Sequence, residues 1–370
     1  MTMISASAAA SATAPFPLGS NPVPSEAIFA AAGLLLPHLE RGDRVDAATL
    51  RSAMETAFCA SDATGAWDWK TAYDACEAAT VIFLRKYGKA LFRKAGTPAA
   101  RLSALTKIAG LLPTHTRRST ESQTFQQFST PIPLGLVAAR AAAITPTDRV
   151  LEPSAGTGLL AILAEIAGGA LVVNELAETR AGLLDLLFPA VPITRFDAAQ
   201  IDDHLDSAVT PSVVLMNPPF SAMANVEGRV ADTTWRHVTS ALARLAPDGR
   251  LVTITGASFA PDNQVWRDAF VRLQDCGRVV FSAAIDGSVY AKHGTTFPTR
   301  LTVIDKRPAN DPTVFPVAPG VAPDAATLLT WLGEHLPERF VVDPSVMVPA
   351  APAAAPRSVR GYINRAAKAA

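Results

Sequence analysis

From about residue 145 onward, short apolar runs alternate with segments of helical periodicity. The runs fall at 149–152, 170–174, 193–196, 213–216, 250–255, 278–282 and 300–305. Strands that alternate with helices pair in parallel, since each helix crosses one face of the sheet and returns the chain to the same edge. The pattern predicts an α/β, Rossmann-like fold with a mainly parallel seven-stranded sheet and helices on both faces. Ligands of such sheets bind at the carboxyl ends of the strands.

Changes in composition divide the rest of the chain. Residues 1–24 are rich in Ala, Ser and Pro and lack a basic segment followed by an apolar one, which predicts a disordered tail rather than a signal peptide. Residues 25–118 show helical spacing and form a predicted N-terminal helical domain, with Asp46 and Thr97 as helix caps. The sheet domain is expected at 119–306. Residues 307–370 are predicted to be a Pro/Ala-rich extension with one helix, at 325–336.

Composition excludes several classes of protein. Of the 370 residues 49% are hydrophobic, which is too many for a wholly disordered chain. The 33 basic residues balance the 33 acidic ones, so there is no global positive field for nucleic acid. No run reaches the roughly 18 apolar residues of a membrane helix, so no membrane partner is expected. The three cysteines lie far apart, with no metal-ligand spacing, so we expect no metal site and a cytoplasmic location.

One stretch is locally basic. Residues 85–118, called the basic segment below, contain no acidic residue and nine basic ones: Arg85, Lys86, Lys89, Arg93, Lys94, Arg101, Lys107, Arg117 and Arg118. Such a stretch is either a solvated helix face or a surface that binds phosphates.

A glycine turn follows the first predicted strand, in the sequence VLEPSAGTG at 150–158. Gly156 and Gly158 let the backbone approach a ligand, although a tight turn alone would also explain them. Glu175 follows the second strand about 20 residues later, where a carboxylate can accept ribose hydroxyls or charge a helix start. Asp197 follows the third strand and is either an adenine contact or a turn residue, and Phe196 covers the ring or belongs to the core.

The strand 213–216 ends in Asn217-Pro218-Pro219-Phe220. The two prolines fix the backbone and prevent a helix from starting there. The Asn217 side-chain oxygen and the Pro218 carbonyl can accept both hydrogens of a planar amino group and aim its lone pair at an electrophilic methyl group. Phe220 can stack on a flat substrate.

These motifs resemble the amino-methylating S-adenosylmethionine-dependent methyltransferases, in which the Asn-Pro-Pro-aromatic turn is the catalytic signature. The segment 127–131, QFSTP, resembles one that precedes the fold in N6-adenine DNA methylases and holds the methionine end of the cofactor. More narrowly, residues 120–306 resemble the methylase region of bacterial strawberry-notch-type methylase–helicase proteins, through QQFSTPIPLG, VLEPSAGTGLLAI and KHGTTFPTRLTVIDK. The chain lacks their helicase, and few residues remain for a target-recognition domain.

The resemblance implies a role for each residue of the motifs. The residues expected around the methionine part of the cofactor are Thr130, Glu152, Pro153, Ala155, Gly156 and Gly158. Glu175 would bind the ribose, and Asp197 the adenine, with Phe196 or Leu176 against the ring. Asn217, Pro218, Pro219 and Phe220 would hold the target base. The loop with Lys292, His293 and Thr295 would face the substrate, although His293 is otherwise a plain loop residue, and His237 is interpreted as structural.

The expected function is methylation of adenine N6 in DNA, with DNA bound through the basic segment and the active-site face. Two alternatives remain open. The same turn serves methylation of protein glutamine amides and RNA bases, and the chain is otherwise a non-catalytic DNA-binding module for a helicase or other protein partner.

Overall fold

The computed structural model describes residues 23–115, 129–219 and 229–343. Most of the predicted N-terminal tail lies outside these residues, as do Arg117, Arg118 and Phe220.

Four helices form the N-terminal region: α1 (Pro24–Arg41), α2 (Ala47–Phe58), α3 (Trp69–Ala95) and α4 (Pro98–Leu111). The predicted caps are confirmed: the Asp46 carboxylate accepts the Thr49 N–H at 2.8 Å, and the Thr97 hydroxyl accepts the Ala100 N–H at 3.2 Å. Helix α3 packs on α1 and on the helix Leu159–Ala167, which follows the glycine turn of the sheet domain. No described helix is both long and apolar enough to cross a membrane.

The sheet has the strands β1 (Arg149–Glu152), β2 (Ala170–Asn174), β3 (Ile193–Thr194), β4 (Val213–Met216), β5 (Arg250–Gly256), β6 (Arg278–Ile285), β7 (Thr299–Asp305) and β8 (Val321–Ala322). Their order is β3-β2-β1-β4-β5-β7-β6-β8. Strands β1 to β5 pair in parallel, and β7 runs antiparallel to both β5 and β6. The predicted mainly parallel Rossmann-like α/β fold is confirmed. The predicted number of seven strands is one too few, because the two residues of β8 are too short to show a strand period.

Helices cover both faces of the sheet, as predicted: α5 (Ile132–Ala142), α6 (Leu159–Ala167), α7 (Glu178–Leu187), α8 (Ile201–His204), α9 (Arg229–Arg244), α10 (Arg267–Leu273) and α11 (Ala325–His335). Alternate residues of β4 divide between two cores. Val213 and Leu215 pack with α5, α6 and the N-terminal helices, whereas Val214 and Met216 pack with α8, α9 and α10. All four are buried, so β4 is an apolar central strand. The polar residue Asn217 follows directly at its carboxyl end.

Candidate functional site

A pocket opens at the carboxyl ends of β1, β2 and β4, where the order of the strands reverses. Most of the residues predicted from the sequence line it, although they come from five separate segments. They are Thr130, Glu152, Pro153, Ala155, Gly156, Glu175, Leu176, Phe196, Asp197, Asn217, Pro218 and Pro219. Phe220 lies outside the described residues.

The two glycines of the turn after β1 meet different needs. Gly156 has a φ of +57°, and an added Cβ there would meet no atom within 4 Å. Gly158 does not line the pocket. At φ +86° it packs so closely on α7 that an added Cβ would lie 2.6 Å from the Phe188 ring. Gly156 therefore keeps the floor of the pocket open, while Gly158 lets α6 and α7 pack.

Glu175 is fixed by the backbone. One carboxylate oxygen accepts the Gly156 N–H at 2.8 Å, and the other accepts the Ala177 N–H at 2.9 Å. These bonds join the end of β2 to the glycine turn and leave further lone pairs on both oxygens. The carboxylate is thus held in place at the pocket wall, where it can accept hydroxyl groups from a ligand.

Glu152 is the buried acid of the pocket, with 2% of the residue exposed. Its Oε2 atom makes no hydrogen bond to any described residue. Burial, with a smaller contribution from the charge of Glu175, raises the pKa of Glu152 well above its ordinary value. A cationic ligand group beside this carboxyl would favour its ionised form.

Asn217 is held by side chains from other elements. Its Nδ2 atom donates a hydrogen bond to the Thr130 hydroxyl at 2.9 Å. Its side chain also interacts with the phenol of Tyr290, a fully buried residue in the turn Gly287–His293. Pro218 and Pro219 follow at the mouth of the pocket. These contacts fix the amide at the edge of the sheet, where its oxygen can accept a hydrogen from a bound amino group.

Asp197 and Phe196 combine the two roles that the sequence leaves open. The Asp197 carboxylate accepts the Ala199 N–H at 2.9 Å, which is a turn interaction, and the residue also lines the pocket. Phe196 stacks on His204, with a ring-centroid distance of 5.3 Å, while it lines the same wall.

His237, interpreted above as structural, is buried and also lines the pocket. Its Nδ1 atom lies 2.8 Å from the Thr233 carbonyl, and burial lowers its pKa.

Helix α3 supports the pocket from outside the sheet domain, which the sequence does not predict. Asp74 forms a two-point ion pair with Arg180 of α7, at 2.8 and 3.1 Å, and Arg180 lines the pocket. Glu77 accepts a hydrogen bond from Thr157 of the glycine turn at 2.6 Å. Two acids at i and i+3 share one helix face, and this spacing is the only trace of their role in the sequence.

Three residues expected to face the substrate do not line this pocket. The Lys292 ammonium donates to the carbonyls of Ala109 and Leu112, at 2.6 and 3.0 Å. His293 packs near Glu77, and the buried Thr295 accepts the Phe297 N–H at 3.1 Å. The loop thus packs against the N-terminal helices, and its contact with a substrate stays a prediction.

The cations that the basic segment contributes from α3 lie away from the pocket. Helix α6 begins at the glycine turn and runs to the opposite edge of the sheet, about 13 Å away for nine residues. The Arg85 guanidinium pairs with Glu165 near that far end, at 3.0 Å, and Gly88 packs on Ile166. The exposed cations Lys89, Arg93 and Lys94 lie further along α3, beyond Gly88.

No protein-family model matches the chain, and no curated protein matches it either. Solved structures do match. TrmN from Thermus thermophilus is 20% identical with a TM-score of 0.38, over 50% of this chain and 52% of that one. A modification subunit of a putative type I restriction enzyme from Vibrio vulnificus is 15% identical with a TM-score of 0.40, over 56% and 50%. A putative RNA methyltransferase from Pyrococcus horikoshii is 16% identical with a TM-score of 0.40, over 56% and 98%. The chain spans about half the length of the first two structures.

Proposed function

We propose that this chain is an S-adenosylmethionine-dependent methyltransferase that methylates adenine N6 in DNA. One observation carries the proposal: a single pocket joins the open glycine turn and the fixed Glu175 carboxylate to the Asn217-Pro218 turn. On this proposal, the cofactor half and the acceptor half of the site would be adjacent at the carboxyl edge of the sheet.

The acidic side chains and the open space of the pocket fit the cofactor. S-adenosylmethionine, when bound, supplies a methyl group on a positively charged sulfur atom. Three acids, Glu152, Glu175 and Asp197, line the pocket, so its charge suits a cationic ligand. The hydrogen-bonding capacity left on Glu152 Oε2 would hold the ammonium group, and the open space at Gly156 would admit the methionine chain.

The other contacts follow the order of the strands. Glu175 would accept the ribose hydroxyls, and Asp197 the adenine amino group, with Phe196 and Leu176 beside the ring. Thr130 has a double position, because it lines the pocket and also holds Asn217. It would lie where the methionine end of the cofactor meets the acceptor.

The acceptor half would bind a planar amine. The lone pair of such a nitrogen is delocalised into its ring, which makes it a poor nucleophile. The Asn217 oxygen and the Pro218 carbonyl would accept its two hydrogens and favour the more tetrahedral nitrogen of the transition state. No general base is needed, since the nitrogen can lose its proton to water after transfer. Stacking on Phe220, worth about 1–3 kcal/mol, would offset part of the few kcal/mol needed to extrude a base from a duplex.

The proposal leaves other acceptors to be tested, because RNA bases and glutamine amides offer the same planar nitrogen. The experiment incubates the full chain with methyl-labelled cofactor and equal amounts of unmethylated duplex DNA, RNA and mixed protein. Each fraction is then digested and analysed by mass spectrometry. We expect label in DNA, as N6-methyladenine. Label only in RNA or in glutamine would reject DNA as the acceptor. Cofactor binding without transfer would favour an accessory module for a helicase or other protein partner.

A further inference from the structure

Two histidines and a glutamate meet outside the proposed methyltransferase pocket. Glu77 lies on α3, His115 follows α4, and His293 ends the turn before β7. One nitrogen or oxygen atom from each lies within 4.8 Å of the other two. Three distant segments of the chain therefore converge on one point between the N-terminal helices and the sheet.

The facing atoms of this cluster do not satisfy one another. His293 Nδ1 is buried and makes no hydrogen bond to any described residue. The nearest acidic atom is Glu77 Oε1 at 3.7 Å, which is too long for a hydrogen bond. Glu77 itself is 4% exposed, and its other oxygen is bonded to Thr157. A buried imidazole nitrogen without a hydrogen-bond partner is costly, and a cation between it and the facing Glu77 carboxylate would remove that cost.

The ligand chemistry matches a transition metal. Neutral imidazole is the form of histidine that binds metal ions. Two imidazole nitrogens and one carboxylate oxygen form a common zinc set, with bonds of about 2.0–2.2 Å. Such bonds place tetrahedral ligand atoms roughly 3.4 Å apart. The Glu77–His293 separation of 3.7 Å is close to that value, and the His115 ring must approach by at most about 1.4 Å.

The surroundings place the ligands and balance the charge. The His115 ring stacks on Tyr73, at a centroid distance of 3.9 Å and an interplanar angle of 7°. Lys292 is the neighbouring cation, but its ammonium is engaged by two backbone carbonyls. Asp74 adds negative charge near Glu77, opposed by Arg180. A small cavity of about 40 Å³, lined in part by Cys76 and Thr80, adjoins the cluster and leaves room for a fourth ligand such as water.

We propose that Glu77, His115 and His293 bind a divalent transition-metal ion, with Zn²⁺ the best match to the ligand set. The ion would fasten the turn before β7 to α3 and to the residues after α4. Through the Glu77–Thr157 hydrogen bond it would also steady the glycine turn. The site does not depend on the proposed methyl transfer, and its test measures metal alone.

The test uses the full chain, stripped with a chelator and dialysed against Zn²⁺ alone or Co²⁺ alone. Bound zinc is measured by elemental analysis, and bound cobalt by its visible absorption. We expect about one zinc ion per chain. The affinity should fall more than about 100-fold in His293→Ala and His115→Ala, which exceeds the loss of about 10- to 100-fold for an outer-shell partner. His335→Ala, an exposed histidine on α11, is the matched control and should bind zinc like the wild type.

Glu77→Gln keeps the side-chain volume, so it is included in case an alanine variant fails to fold. Circular dichroism of each variant establishes whether it is folded. A stripped wild-type chain that takes up no zinc would overturn the proposal, and this result does not depend on any variant. Folded Glu77→Gln and His293→Ala chains that bind zinc as tightly as the His335→Ala control would also overturn it.

Discussion

A single buried amide holds together the ends of three strands beneath the pocket. Asn174 is fully buried at the end of β2. Its Nδ2 atom donates to the carbonyls of Pro153 and Phe196, at 2.9 and 3.0 Å, and its Oδ1 atom accepts the Phe196 N–H and the Thr194 hydroxyl, at 2.8 and 2.9 Å. All four hydrogen bonds of the amide are thus made. Asn174 therefore sets the spacing between Glu152, Glu175 and Asp197, which follow or end the three strands.

The buried acid Glu152 leads to a pH-dependent prediction. Its pKa is raised, so the carboxyl is neutral at low pH and ionises as the pH rises through that value. Because only the ionised form attracts an ammonium group, cofactor affinity should rise with pH. A hydrogen bond to a charged group contributes about 1.5–3 kcal/mol, which corresponds to about 10- to 100-fold in affinity.

Titration calorimetry between pH 5 and pH 8 measures this dependence. Glu152→Gln should bind the cofactor weakly at every pH and lose the rise. Glu178→Gln, at an exposed acid at the start of α7, is the control and should keep it. An unchanged pH profile in Glu152→Gln would show that this carboxyl does not contact the cofactor.

Tyr290 is expected to act as a positioning residue for Asn217. Tyr290→Phe removes the hydroxyl that interacts with the Asn217 side chain and leaves the core packed. Losing one polar interaction of this kind costs about 1 kcal/mol, so kcat should fall about fivefold while the cofactor Kd stays constant. Steady-state kinetics measure the two separately. Tyr87→Phe, which removes an exposed hydroxyl bonded to Glu40, should change neither quantity; an equal loss in both variants would contradict the role of Tyr290.

The residues of the site differ in how far sequence could identify them. Glu175 and Asn217 stand directly after apolar strands, so their place at the carboxyl edge follows from the strand pattern alone. Asn174 and Tyr290 act through partners from other segments, and no local spacing marks those contacts. Lys292 and His293 belong to the same loop as Tyr290, but their partners on the N-terminal helices turn them away from the pocket.

At the scale of elements, helix α3 holds residues of the pocket in place. Its N-terminal half holds Arg180 through Asp74 and the glycine turn through Glu77, while its C-terminal half carries exposed cations at the far edge. The helical periodicity of 67–92 predicts the helix but not its partner, since an amphipathic face does not say which surface it covers.

Breaking the Asp74–Arg180 pair tests this docking. The two side chains are 10% and 13% exposed, so Asp74→Ala leaves a nearly buried guanidinium without its partner. We expect a loss of about 3 kcal/mol of unfolding free energy in urea, together with weaker cofactor binding, because Arg180 lines the pocket. Glu40→Ala breaks the exposed pair with Lys86 and should lower the unfolding free energy far less than Asp74→Ala does. Equal losses in the two variants would mean that α3 does not brace the site.

At the scale of the whole molecule, the segment after β7 is tied into the fold. Strand β8 extends the sheet, and the Arg339 guanidinium pairs with Asp148 beside β1, at 2.7 and 2.8 Å. Buried Arg250 bonds both Asp305 and the Pro337 carbonyl. The Pro/Ala-rich composition predicts an extension with one helix, and α11 confirms that helix. The Arg339–Asp148 ion pair could not be predicted, because it joins residues 191 positions apart.

Arg339→Ala tests the importance of this attachment. Burial raises the pKa of Asp148, but hydrogen bonds from Arg339 and Ser212 outweigh it and hold the pKa below 3.8. The contribution of Asp148 to stability is therefore present above pH 3.8 and is lost as the pH falls through the lowered pKa. The variant should lose about 3–5 kcal/mol in urea at pH 7.

Comparing the wild type with Arg339→Ala at low pH tests whether the charge of the unpaired Asp148 causes the loss of stability. The loss should shrink as the pH approaches 3, where protonation relieves the unpaired Asp148 of the variant. Arg41→Ala removes the exposed pair with Asp43 and should cost about 0–1 kcal/mol. A loss in Arg339→Ala no larger than in this control would show that the segment is not needed for stability.

In the proposed reaction, the Asn217 turn presents an amino group to a methyl donor in the adjacent pocket. The most direct measurement is the rate of N6-methyladenine formation in duplex DNA at saturating cofactor, for the wild type and Asn217→Ala, with cofactor affinity measured on both. Removing one such transition-state contact costs about 10²- to 10³-fold in kcat, so we predict a loss of that size at unchanged cofactor affinity. Equal rates in the two chains would contradict the account.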